Sequence, residues 1–439
     1  MNLQVTKENP TGQAGENNLY SASNRQGVCR LCRSPLKTSL VDLGMSPLCE
    51  SFVAAQRLDQ MEPYYPLRAL VCGECFLVQL SEYVKPEHIF TEYAYFSSYS
   101  TSWVEHARQY CEMAKARFGL ASNSKVFEIA SNDGYLLQHF LPLNIPVIGI
   151  EPAANVAAVA RQKGIPTLVE FFGLDLARRL ASEGQRADLI IGNNVLAQVP
   201  DLNDFVAGMA NLIAPNGVIT LEFPHLERLI EENQFDTIYH EHFSYFSVVT
   251  IERLANKHGL KLFDVEQLPT HGGSLRVYLC GVDAGHATSP RVNALLAHER
   301  EIGFEDIGTY AQFAASVHRT KRQLLSFLIE CKEKGAKLCG YGAPGKGNTL
   351  LNYCGIGTDF LDFTVDRNPY KQGLYTPGMH IPIHPVSAID EARPDYLLIL
   401  PWNLKSEIIA QMRHVSEWGC KFIVPIPSVE VIDPRELVS

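Results

Sequence analysis

The stretch Phe127-Glu128-Ile129-Ala130-Ser131-Asn132-Asp133-Gly134-Tyr135 decides the fold. It reads as an apolar strand, beginning at Val126, that ends in a tight turn of small residues and opens a helix. In an open α/β sheet such a turn lets backbone approach a ligand at the carboxyl edge of the strands. Only the last glycine of a G-x-G-x-G remains in this E-x-A-x-N-x-G, so its force comes from a second element, Gly149-Ile150-Glu151-Pro152. There an acid ends the next apolar run, 23 residues after Glu128. An ionised carboxylate is acceptor-only and can take both hydroxyls of a ribose; the alternative for Glu151 is a cap on the helix that starts near Ala153.

Outward from this turn, apolar runs at Val126–Ile129, Val147–Ile150, Thr167–Phe171, Leu189–Ile191, Val218–Phe223, Leu260–Val265 and Leu275–Leu279 alternate with helical stretches. That alternation implies βαβ units and a largely parallel, doubly wound sheet. Gly272-Gly273 separates the last two runs with no helix between them, which implies an antiparallel end. The arrangement resembles class I methyltransferases. The run Asp188-Leu-Ile-Ile-Gly-Asn193-Asn194 leads into Gln198, and strand-end amides either face the ligand crevice or serve the turn.

Two further motifs carry chemistry. Tyr239-His240-Glu241-His242-Phe243 follows the fifth strand. Its two histidines lack the i, i+4 spacing of a helical metal motif, but a helical turn would put Tyr239 and His242 on one face. A phenol, an acid and an imidazole together suit proton removal near pH 7. Gly340-Tyr-Gly342-Ala-Pro344-Gly345-Lys346-Gly347-Asn348 follows a strand, with Asp366 ending the next one. Taken alone it is a dinucleotide fingerprint, and it nearly matches a P-loop. Gly347 stands where a P-loop needs Ser or Thr, which argues against an NTPase, and Pro344 weakens the NAD reading.

Near the start, Cys29-x-x-Cys32 and Cys72-x-x-Cys75 are two knuckles separated by 39 residues. Together they supply the four thiolates of a structural zinc site, with no open coordination position for chemistry. The other seven cysteines have no ligand spacing and read as small core residues. Phe90 to Ser100 is aromatic and hydroxyl-rich without a clean period, so it reads as a loop, packing over a joint or lining a pocket. Trp103–Leu120 and Thr309–Gly335 read as helices, and Lys337–Tyr341, Phe363–Val365, Tyr396–Leu400 and Phe422–Val424 as a second, smaller α/β unit.

Composition bounds the rest. The 439 residues carry 38 Lys+Arg against 48 Asp+Glu, a net charge of −10, so a nucleic-acid partner is not expected. Hydrophobic residues at 46% and charged ones at 20% are globular proportions. No long apolar run or signal-type h-region is present, so no membrane partner is expected. Eleven cysteines, an odd number spread over a long chain, fit reduced thiols and a cytoplasmic location.

Taken in order, the CxxC…CxxC module, the E-I-x-S-N-D-G-Y turn, N-V-L-A-x-V-P-D, Y-H-E-H-F-S-Y and G-Y-G-A-P-x-K-G-N resemble the three-domain sugar C-methyltransferase family, from Cys29 to about Pro427. With the unordered leader over 1–26 and boundaries near 85, 123, 290 and 335 read from the chain itself, the resemblance implies a zinc-binding module over 27–85, an aromatic linker and helix over 86–123, a methyltransferase domain over 124–290, connecting helices over 291–335 and a Rossmann-like domain without its own NAD over 336–439. It implies S-adenosylmethionine and structural Zn2+ as cofactors. The implied substrate is a nucleotide-diphospho 4-keto-6-deoxy sugar, methylated beside the ketone, commonly at C3. By motif, His242 is the base, Tyr239 assists it or stabilises the enolate, and Glu241 orients the sugar or its neighbours. Tyr93 or Tyr95 enters the sugar pocket. Glu128, Asn132, Asp133, Gly134, Glu151 and Asn193 would hold the cofactor. Many members have histidine where this chain has Gln198, a neutral amide that can hold a carbonyl but cannot move a proton near pH 7. The rival reading is an NAD-dependent nucleotide-sugar oxidoreductase using the Gly340 turn.

Overall fold

The computed structural model describes residues 27–84 and 97–436. The leader and the tyrosines Tyr93 and Tyr95 therefore lie outside the described residues. Three strands open the chain, β1 (Thr38–Ser46), β2 (Tyr65–Val71) and β3 (Val78–Leu80), paired antiparallel. In β2 the alternate residues Tyr65, Leu67, Ala69 and Val71 are buried while Arg68 faces out, the period of a strand with one covered face.

The central sheet has seven strands, β4 (Val126–Ile129), β5 (Val147–Ile150), β6 (Thr167–Leu168), β7 (Ala187–Asn193), β8 (Ile213–Pro224), β10 (Leu260–Leu268) and β11 (Ser274–Gly281), in the order β10-β11-β8-β7-β4-β5-β6. The five strands from β8 to β6 are parallel, while β11 runs antiparallel to both β8 and β10. Helices cover both faces, which is why β4 is buried at every position, apolar except for Glu128. Strand order reverses between β4 and β7. The crevice outside their carboxyl ends is where such a sheet binds ligands.

Two sequence expectations change. The run Thr167–Phe171 forms a strand only over its first two residues, and Phe171, 45% exposed, turns out over the crevice. The expected helix Thr309–Gly335 is two, Ile307–Tyr310 capped by Asp306, then Phe313–Glu333.

The last sheet contains β12 (Leu338–Tyr341), β13 (Thr364–Val365), β14 (Ile383–His384), β15 (Tyr396–Ile399), β16 (Lys421–Val424) and β17 (Glu430–Ile432), in the order β14-β13-β12-β15-β16-β17. The edge strands β14 and β17 were not legible in sequence, being too short to show a period. The strand β9 (Ser244–Tyr245), also missed, pairs with β3 through Val78↔Tyr245 and Gln79↔Ser244. It ties the Tyr239–Phe243 segment directly to the cysteine module. One apolar cluster joins Leu40, Leu43 and Val78 to Leu324, Tyr341 and Leu350 of the C-terminal part. Another joins Cys29, Leu31 and Cys75 to Phe205 and Val249 of the central part. The N-terminal sheet is thus clamped between the other two. No described helix is long and apolar enough to cross a membrane.

Candidate functional site

A cavity of about 330 Å³ opens at the carboxyl ends of β4, β5 and β7, with Asn132, Glu151, Asn193, Gln198, Trp103 and His271 in its wall. The turn after β4 explains its odd motif: Ala130, Asn132 and Gly134 all have positive φ, at 55°, 47° and 76°. These are the three positions where G-x-G-x-G would place glycine, and Asn tolerates the left-handed region better than most residues. Glu151 serves both expected roles. Its Oε1 accepts from the Ala153 amide at 2.8 Å, and its Oε2 accepts from the Asn132 amide at 3.0 Å, leaving a second lone pair on each oxygen for ribose hydroxyls.

The other cofactor candidates separate. Asn193 lines the cavity, but Glu128, Asp133 and Gly134 stand behind its wall. Glu128 is buried, and that burial, with Glu151 and Asp133 beside it, raises its pKa well above the carboxylate range. Asp133 pairs with Lys163 at 3.3 Å. A Cβ on Gly134 would stand 2.3 Å from Ile165, so glycine is needed for packing as well as for φ. Asn194 Nδ2 donates to His271 Nε2 at 3.1 Å, while its Oδ1 is buried without a partner among the described residues. Trp103 lies against Tyr135 and His271, with ring centroids 6.0 and 5.0 Å away. An acid with free lone pairs, an orphaned amide oxygen and aromatic faces suited to a sulfonium fit S-adenosylmethionine. His271, at φ 55°, was not singled out in sequence. The adjoining Gly272-Gly273 was its one signal.

The Tyr239–His242 segment is a hydrogen-bonded turn, with the His242 amide donating to the Tyr239 carbonyl at 2.9 Å. His242 Nδ1 faces the Thr237 carbonyl at 3.1 Å, so the ring hydrogen sits on Nδ1. Nε2 is then the acceptor, 3.0 Å from the Tyr239 hydroxyl. Burial lowers the imidazole pKa to about 4, and the charges of Lys346 and His271 act the same way. It is neutral, and able to take a proton, throughout the physiological range. His240, by contrast, faces the Pro66 carbonyl at 3.2 Å and packs edge-on against Tyr65, holding the N-terminal sheet.

Glu241 points away from Tyr239 and His242. It is hydrogen-bonded to the Cys49 thiol and faces Glu50. Burial and then the Glu50 charge raise its pKa from 4.5 to about 8. The stability it contributes is complete below about pH 4.5 and is lost as pH rises through about 8. Asp236, pushed up to about 7 by burial, behaves alike. Wild-type protein is therefore expected to lose on the order of 5 °C in melting temperature between pH 6 and 9, and Glu241→Gln to lose roughly half as much. Identical pH profiles in calorimetry would contradict this.

The Gly340 turn is closed to a dinucleotide. A Cβ on Gly342 would meet Pro401 at 2.6 Å, one on Gly345 would meet Cys49 Sγ at 2.8 Å, and one on Gly347 would meet Leu400 at 2.8 Å. Protein atoms, including the N-terminal module, fill the space a pyrophosphate would need. Asp366 Oδ2, the expected ribose acid, accepts from the Ala343 amide at 2.7 Å.

The four knuckle sulfurs of Cys29, Cys32, Cys72 and Cys75 lie within 4.8 Å of one another. The Cys29–Cys75 and Cys32–Cys72 separations are 3.4 Å, too long for a disulfide and close to the roughly 3.8 Å edge of a tetrahedron with zinc–sulfur bonds of about 2.3 Å. The Glu74 and Cys75 amides point at Cys72 Sγ, and Gln79 Nε2 at Cys29 Sγ. This donor set fits structural Zn2+. A second cluster, His225, Glu227 and Glu299, has its ligands spoken for: Glu299 accepts from the Val248 and Val249 amides and from His225 Nε2. It reads as a helix cap.

Comparison with known proteins agrees with this geometry. Three family profiles match: a zinc binding domain over residues 29–90, a methyltransferase domain over 103–265 and a C-methyltransferase C-terminal domain over 269–427. The C-methyltransferase NovU of Streptomyces niveus is 35% identical over 404 residues, covering 92% of this chain and 96% of that protein. A ubiquinone biosynthesis O-methyltransferase of Bartonella tribocorum is 26% identical over 98 residues, 22% of this chain and 40% of its own length. Among solved structures, the CcbJ methyltransferase from Streptomyces caelestis aligns with 40% of this chain and 89% of its own, at 13% identity and a TM-score of 0.32. With a relative matched end to end and all three domain profiles in order, the chain belongs to the three-domain, S-adenosylmethionine-dependent C-methyltransferase family.

Proposed function

We propose that this C-methyltransferase acts on a nucleotide-diphospho 4-keto-6-deoxy sugar and places the methyl group on the carbon beside the ketone, C3, in branched deoxysugar biosynthesis. The observation that carries the reading is the half-buried, neutral His242, its acceptor nitrogen set 3.0 Å from the Tyr239 phenol. A hydroxyl or amine already carries a lone pair that can attack the methyl group, whereas a carbon has none until a base takes its proton. A carbon must first lose a proton, and a carbon beside a carbonyl is the kind of carbon that can.

Bound S-adenosylmethionine supplies the electrophilic methyl group. The chain does the rest. His242 Nε2 takes the proton once the Tyr239 hydroxyl that it holds in the free protein turns to the substrate, and Thr237 keeps the other ring nitrogen protonated. Glu151 holds the cofactor at the end of β5, next to the wall that carries Gln198, whose amide can hold a sugar oxygen. Glu241 acts on the substrate only indirectly, through Cys49 and the N-terminal module.

Zinc-loaded protein with methyl-labelled S-adenosylmethionine and dTDP-, GDP- or CDP-linked 4-keto-6-deoxy sugars is expected to yield one product labelled at C3. Label on oxygen or nitrogen, or transfer to none of these sugars, would overturn the reading.

A further inference from the structure

Lys346, the lysine of the Gly340 turn, has no role in the chemistry above. It lies in the first turn of the helix Gly345–Cys354. Its ammonium donates to Asn403 Oδ1 at 2.9 Å and lies 4.8 Å from the centre of the Trp402 ring. No carboxylate among the described residues comes within ion-pair distance; the neighbouring Glu50 is taken by Lys371 at 3.2 Å. An ammonium has three donors and a large desolvation cost. Here one donor meets a neutral amide and the Asp236 charge acts from further off, which leaves two donors for a group outside the described residues.

What surrounds Lys346 says where that something lies. Trp402 Nε1 donates to Asp236 Oδ2 at 2.7 Å, and Asp236 precedes Thr237, whose carbonyl fixes His242. The far edge of the Trp402 ring packs on Gly272, where a Cβ would come within 2.7 Å, and Gly272 follows His271 in the cofactor cavity wall. Lys346 thus stands at the junction between the base and the cofactor cavity. Its charge lowers the pKa of both His242 and His271, which places all three in one field. An imidazole of such low basicity removes a proton from carbon only if the resulting anion is strongly stabilised.

We propose that Lys346 is the electrophile of the reaction, its ammonium donating a hydrogen bond to the substrate carbonyl oxygen as that oxygen becomes the enolate. This rests on the reading of the substrate as a ketone methylated at the adjacent carbon. When His242 takes the proton, the C–H electron pair becomes the C=C bond and the carbonyl π pair moves onto oxygen. Lys346 keeps its protons throughout. The C=C pair then attacks the methyl carbon, the C=O bond re-forms, and the thioether leaves with the sulfur's bonding pair. The enolate oxygen is one atom removed from the carbon that His242 deprotonates, whereas a nucleotide diphosphate is several bonds further away. The junction between base and cofactor favours the former.

The test uses full-length, zinc-loaded Lys346→Met, Lys346→Gln and Lys346→Arg proteins. Exchange of the sugar's α-hydrogen for deuterium in D2O, without S-adenosylmethionine, isolates proton removal from methyl transfer. Exchange and kcat are expected to fall together by 10²–10³-fold in the Met and Gln variants, with sugar KM and S-adenosylmethionine affinity within about threefold, and Arg recovering part of both. Two neutral variants are included so that misfolding of one, seen by circular dichroism, leaves the other to decide. A raised KM with kcat retained would assign Lys346 to the diphosphate and overturn the proposal, as would exchange at the wild-type rate. If wild-type protein neither exchanges nor methylates any keto sugar, the substrate reading fails and the electrophile falls with it. If wild type does both and the variants match it, only the electrophile fails.

Discussion

Replacing His242 with Gln is expected to lower turnover by about 10³–10⁴-fold while S-adenosylmethionine still binds with near wild-type affinity. The size follows from the geometry. Gln keeps a polar group near Tyr239 and Thr237, so the fold should hold, but an amide cannot accept a proton near pH 7. Among the described residues, His240 is turned to Pro66, Glu241 to Cys49, and Gln198 is a neutral amide that cannot take its place. The acid limb of kcat/KM should follow the imidazole. Burial, then Lys346 and His271, hold its pKa at about 4, so activity should persist well below pH 6.5 and be lost only as pH falls through about 4. Turnover of His242→Gln within tenfold of wild type, with calorimetry showing intact cofactor binding, would remove His242 from the base role. Tyr239→Phe, which removes the hydroxyl and leaves the imidazole, should cost far less, on the order of tenfold.

Removing the metal should have the largest effect on stability. Metal analysis of reduced protein is expected to find one zinc per chain, and a strong chelator, or Cys72→Ser, to lower the melting temperature sharply and expose the knuckle cysteines, four in the chelated protein and three in the variant, to thiol reagents. Structural zinc sites contribute on the order of 10 kcal/mol in isolated modules. Here the site also fixes an interface. The Leu31 carbonyl accepts from Lys257 Nζ at 2.5 Å, the Arg30 carbonyl from Asn203 Nδ2 at 2.7 Å, and Arg30 reaches Leu80 and Pro200. Loosening the knuckles frees the sheet that carries Cys49 and, through β9, the turn of Tyr239 and His242. Catalysis should therefore fall more than cofactor affinity, because Glu151 and the β4 turn belong to the central sheet. A protein that holds no zinc, or one whose melting temperature and activity survive chelation, would contradict this.

Much of the fold could be read from the chain because its strands declare themselves. In a parallel sheet covered on both faces, β4, β5 and β7 are short, mostly apolar runs, and the antiparallel β10–β11 end follows from Gly272-Gly273 without an intervening helix. Short edge strands carry no period, so β9, β14 and β17 were invisible, and Thr167–Phe171 was overextended. The cofactor turn was legible as a turn, but the division between Asn132, Glu151 and Asn193 in the wall and Glu128, Asp133 and Gly134 behind it was not. Motif spacing reports which residues are near the ligand; φ and side-chain direction decide which of them face it.

The Gly340 turn shows the same limit from the other side. Its glycines and its lysine match a nucleotide loop in one dimension. Their meaning came from Cys49, Pro401 and Trp402, which are distant in sequence and fill the loop. The sequence alone determined the class of fold and the four zinc thiolates, because these depend on local periodicity and on donor types at fixed short spacing, while the cofactor came from the order of motifs that resembles a known family. Only the tertiary structure decided that His242 meets the Thr237 carbonyl and the Tyr239 hydroxyl, that Glu241 faces the N-terminal module and that Lys346 stands against Trp402 and Asn403. Burial, desolvation and the meeting of three sheets are properties of contacts between distant segments, and no single stretch of chain encodes them.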